Sequence, residues 1–103
     1  AAQARHAAVA ADIRRGVLTA LIRLDAARQR ADLLKTTAMP HAEHAFGLAR
    51  VNYAAQRGDF SELIDSQRML LSAEVDRAGA NVDILRAFSD VSRATGELPE
   101  VQP

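Results

Sequence analysis

His41, Glu43 and His44 form the group in this chain with metal-ligand character. Side chains three apart on a helix share a face, and imidazole is a common ligand for divalent transition metals. Two ligands on one turn still need more from elsewhere, and the remaining histidine, His6, lies far upstream. The group is read as exposed residues at a helix start; His41 and His44 stay as candidate ligands and no metal is assigned. Ser61, Ser66, Ser72, Ser89 and Ser92 have no histidine nearby in sequence, and no Gly-rich phosphate loop or Walker-type pattern occurs. No catalytic residue is therefore assigned, no enzyme is expected and no cofactor is required. Glu62 and Asp65 stand one turn apart just after a glycine-containing turn, where negative charge favours the positive N-terminus of a helix.

The elements that carry these residues follow from composition. Of 103 residues, 49% are hydrophobic and 25% charged, the balance of one folded domain. Thirteen basic residues oppose thirteen acidic ones, so the net charge is zero and the electrostatic footprint of a nucleic-acid or anionic-membrane binder is missing. There is no cysteine, which excludes disulfides, thiolate nucleophiles and cysteine-based metal centres. No window approaches ~20 uncharged apolar residues, so no helix is expected to span a bilayer. The opening Ala-Ala-Gln-Ala-Arg is read as belonging to a piece of a longer protein. Alanine fills 22 positions while aromatic residues make up 4%, favouring helix over strand and close helix pairs over a thick core.

Val9, Ile13, Val17, Leu21, Leu24, Ala27, Ala31 and Leu34 recur at steps of three or four and predict a helix from about residue 4 to 34 or beyond. Pro40 lacks the amide that would bond the Thr36 carbonyl, and its ring crowds that carbonyl, so a kink or a break is expected there. The pattern resumes through Ala42, Phe46, Ala49 and Tyr53 to about Gln56. In Gln56-Arg57-Gly58-Asp59-Phe60-Ser61-Glu62, Gly58 suits the left-handed residue that ends a helix. Asp59 suits the cap of the next, and Glu62 completes a capping-box pattern. The last helix carries one apolar stripe of Phe60, Ile64, Leu71, Val75, Ala78, Val82, Leu85 and Phe88. A neighbouring stripe holds Leu63, Leu70, Ile84 and Val91, and two stripes imply two neighbouring helices. The i,i+3 pairs Asp12/Arg15, Asp32/Lys35, Asp65/Arg68, Glu74/Arg77, Asp83/Arg86 and Asp90/Arg93 support solvated helical faces. Gly96 and Pro99 end the helix, leaving 97–103 as a flexible tail.

The expected fold is therefore all-α: a long antiparallel helical hairpin over 1–96, coiled-coil-like, kinked near Pro40, with its tip turn near 56–59. An isolated chain would leave the apolar face of residues 4–20 uncovered, so it is expected either to fold back at Pro40 as a three-helix bundle or to associate with another copy.

The run from Tyr53 through Gln56-Arg57-Gly58-Asp59-Phe60-Ser61 to Glu62-Leu63-Ile64-Asp65-Ser66-Gln67 resembles the hairpin of TolC-type outer-membrane efflux proteins. That pattern reads Tyr, a glycine turn, then Glu-Leu-Leu-Asp-Ala-Gln and a long Ala- and Leu-rich helix ending in Leu-Gly. Its glycine falls at Gln56, and this chain places Gly58 two residues later. Residues 9–57 and the helix ending at Gly96 match the two long helices around the turn.

The resemblance implies a channel component of a tripartite efflux or secretion system in the outer membrane of a Gram-negative bacterium. Three protomers build a β-barrel, whose strands are missing here, and a periplasmic helical tunnel through which cargo passes without chemistry. It implies that Gln56, Arg57, Gly58, Asp59 and Phe60 meet the periplasmic adaptor, or membrane fusion protein, that links channel to inner-membrane pump. It implies too that Glu62 and Asp65 lie near the channel mouth. Drug, metal ion and polypeptide all remain open as cargo. The rival reading is a stand-alone helical interaction module, including an adaptor-type coiled-coil hairpin.

Overall fold

The structure, a computed structural model, describes residues 1–96; the expected tail at 97–103 lies outside the described residues. It is an all-α helical hairpin, with no strand among the described residues. Helix α1 spans Ala2–Leu33, a π-helical turn Leu34–Ala38, α2 Met39–Ala54 and α3 Phe60–Gly96. The chain divides into two compact units: residues 29–81, which contain the turn, and residues 1–28 with 82 onward.

In the turn-containing unit, α3 packs along α2 through small side chains. Met39, Ala42 and Ala73 form its core, with Leu70 against them. Ala42 and Ala80 are each only 1% exposed. A methyl group this deeply covered means that the neighbouring backbone has come close, as an alanine-rich sequence allows. Ser66, also buried, sits in the same row of α3 and donates its hydroxyl to the Leu63 carbonyl at 2.8 Å, so the polar group is satisfied locally.

In the other unit, Ala20, Leu24 and Ala87 are buried. Gly16, Thr19, Ala20 and Arg23 of α1 line an open groove together with Asp90, Arg93 and Ala94 of α3. Here too small residues let two helices lie side by side. The expected ion pairs Asp12–Arg15 and Asp90–Arg93 are formed, the latter at 3.7 Å, on exposed surface.

The structure decides two points that the sequence left open. The helix neither breaks nor folds back at Pro40: Leu33, Ala38 and Met39 all keep right-handed helical angles, and the irregularity is a π-helical turn one turn earlier. Pro40 then falls in the first turn of α2, directly after the π turn. The stripe of α3 that packs is the second of the two, holding Leu63, Leu70, Ile84 and Val91, all partly buried around Ser66, Ala73, Ala80 and Ala87. On the first stripe Phe60, Leu71, Val75, Val82, Leu85 and Phe88 are exposed.

Candidate functional site

The tip turn is held by a set of short-range hydrogen bonds. Its first half closes α2 by a Schellman arrangement. Gln56 takes the left-handed conformation with φ 61° and donates its amide to the Tyr53 carbonyl at 3.0 Å. The Arg57 amide reaches back to the Asn52 carbonyl at 2.8 Å, and the Gly58 amide shares that acceptor at 3.2 Å. These bonds pair carbonyls that the end of a helix otherwise leaves to solvent.

Gly58 is not the left-handed residue that the sequence suggested; no glycine here has positive φ. Its need is room. A Cβ at Gly58 would meet the Glu62 carboxylate oxygen at 3.2 Å and the Asn52 Cβ at 3.3 Å. The chain thus passes close to the end of α2 at Gly58 and pays the left-handed cost at Gln56, where a side chain is disfavoured by roughly 1–2 kcal/mol.

The second half of the turn opens α3. Asp59 Oδ1 accepts the Glu62 amide at 2.8 Å, the side-chain cap expected from the Asp-x-x-Glu spacing. Tyr53 and Phe60 face each other across the turn, ring centroids 6.0 Å apart and planes tilted by 58°. Both rings are about half exposed, so the pair forms an aromatic surface beside the tip. Asn52 and Tyr53 were not singled out as site residues, although Asn52 lies six residues before Gly58, the reach of the longer closing bond.

Gln56, Arg57, Asp59 and Phe60 are exposed and Gly58 half-buried, so the turn brings all five together at one end of the turn-containing unit. Glu62 and Asp65 are exposed on the first turns of α3 beside it. His41, Glu43 and His44 are exposed on α2, more than two turns away from the tip. Among the described residues no three potential ligands gather into a metal site. No described helix is long and apolar enough to cross a membrane.

Over 95 residues the chain is 30% identical to the cobalt-zinc-cadmium resistance protein CzcC of Cupriavidus metallidurans. The likeness covers 92% of this chain and 23% of that protein, so the chain spans about a quarter of the relative's length. It agrees, at a coarse level, with the efflux-protein resemblance carried by residues 53–68. No family model matches the chain. No solved structure matches it.

Proposed function

We propose that this chain is a segment of an outer-membrane channel component of a tripartite efflux system, contributing one helical hairpin to the periplasmic tunnel wall. The observation that carries this reading is the 95-residue likeness to a metal-resistance protein, which includes both arms and the turn. The packing supports it. A tunnel wall needs each helix to meet a neighbour on both sides, and α3 has one apolar face covered within the chain and another open. The name of the relative directs the cargo reading to divalent cobalt, zinc and cadmium ions, carried as substrate and not held as a cofactor. The chain does no chemistry of its own in this reading.

The tip formed by Gln56, Arg57, Gly58, Asp59 and Phe60 contacts the periplasmic adaptor, which links the channel to an inner-membrane pump. Glu62 and Asp65, exposed just beyond the tip, form a ring of carboxylates at the channel mouth when three protomers assemble. Like charges held around a narrow opening repel, so the ring favours opening, and a bound cation favours closure.

Cysteine at Arg57 or Phe60 in the full-length protein is expected to crosslink to the adaptor. Failure with several linker lengths would count against the tip contact. Glu62→Gln with Asp65→Asn is expected to change conductance in planar bilayers and to weaken block by added zinc; an unaltered channel removes the carboxylates from the gate.

A further inference from the structure

The two arms of the hairpin keep different registers. On α3 every buried residue falls on a strict seven-residue repeat: Ser66, Ala73, Ala80 and Ala87. A strict heptad against a neighbour describes a left-handed supercoiled seam. The first arm starts in the same repeat, with Ala20 and Leu24 buried and Ala27, Ala31 and Leu34 half-buried at the following heptad positions. It then slips. Met39 follows Leu24 by two heptads and one residue, and Ala42 follows Ala20 by three heptads and one residue, yet both are buried. Of the positions that an unbroken repeat would have placed on the seam, His41 and Leu48 are exposed and Ala38 and Ala45 are only half-buried.

One surplus residue in a regular α-helix turns everything after it by about 100°. That rotation would carry Met39 and Ala42 away from Leu70 and Ala73, which they touch. The π-helical turn Leu34–Ala38 lies between the two registers, and the Met39 amide bonds the Leu34 carbonyl five residues back. A π turn fits one additional residue into a single turn. Thr36 supports the widened turn by donating its hydroxyl to the Asp32 carbonyl at 2.8 Å.

We propose that Leu34–Ala38 is a register-correcting device: the surplus residue, and not Pro40, maintains the π turn, which returns α2 to its seam against α3. Pro40 is a passenger that exploits the widened turn, because its ring no longer has to fit against a regular helical carbonyl. The inference is independent of the export reading.

The test separates the two causes in the full chain. Pro40→Ala is expected to keep the Met39 amide bonded to the Leu34 carbonyl in a crystal structure, with no loss of thermal midpoint. Deleting Thr37 in the Pro40→Ala background removes the surplus residue. It is expected to leave a continuous α-helix with Met39, Ala42, Phe46 and Ala49 on the seam and a midpoint within a few degrees of its parent. Deleting Asp76 from α3, where no π turn absorbs the change, is expected to lower the midpoint by roughly 10 °C or more. The proposal is overturned if Pro40→Ala alone straightens the turn at unchanged stability, or if the Thr37 deletion in that background costs as much as the Asp76 deletion.

Discussion

The two faces of α3 are built differently. The covered face is centred on small buried residues, Ser66, Ala73, Ala80 and Ala87, flanked by half-buried Leu63, Leu70, Ile84 and Val91, while the open face carries Leu71, Val75, Val82 and Leu85, each at least 45% exposed. Size alone would assign the larger side chains to the interior, since they bury the most apolar area. Here closeness of approach decides instead. Small side chains at the centre of the seam let two backbones come together over many turns, larger ones flank it, and a second set of large side chains is left open. Of the seven buried hydrophobic residues among those described, five are alanine, so the hairpin on its own covers little of its apolar area.

The comparison breaks most sharply at its tightest point. Ala80→Leu, at a site 1% exposed, is expected to force the backbones apart and cost about 1–3 kcal/mol, read as a lowered thermal midpoint. A cost near zero would mean that the seam is loose.

The turn gives a middle-sized contrast between its two halves. Gln56→Gly should stabilise by about 1 kcal/mol, because glycine takes positive φ without a Cβ clash. Asp59→Ala should destabilise by about 1 kcal/mol, because the Glu62 amide loses its cap. Denaturant unfolding of the two single variants checks both signs, and equal signs would refute this account of the turn.

The smallest effect is expected on the open face. Leu85→Ala, at 69% exposure, should change the stability of the chain by less than about 0.5 kcal/mol in the same unfolding assay. A loss comparable to that of Ala80→Leu would show that the two faces are not different after all.

Much of the site was legible in advance because it depends on short-range geometry. The spacing from Asp59 to Glu62 announces a helix cap, and the cap is there. The glycine was misread for an equally local reason. Gly58 is the residue best suited to positive φ, so residue type alone points to it as the left-handed position. The close approach of Asn52 and Glu62 favours a missing Cβ at 58, while Gln56 takes φ 61°. Nothing in the residue types distinguishes those two uses of a missing Cβ. The aromatic pair of Tyr53 and Phe60 likewise needed the reversal to bring residues seven apart within 6.0 Å.

The sequence by itself determined that the chain is helical, that it reverses near Gly58, and that α3 has two apolar stripes. Each of these follows from local propensity, capping and periodicity, which act within a few turns. Only tertiary structure decided which stripe is covered and where the first arm changes register. Periodicity marks faces without ranking them, and the ranking depends on how closely a second backbone approaches. The same holds at the π turn Leu34–Ala38, whose placement keeps Met39 and Ala42 against Ala73, a demand made by a helix far away in the sequence.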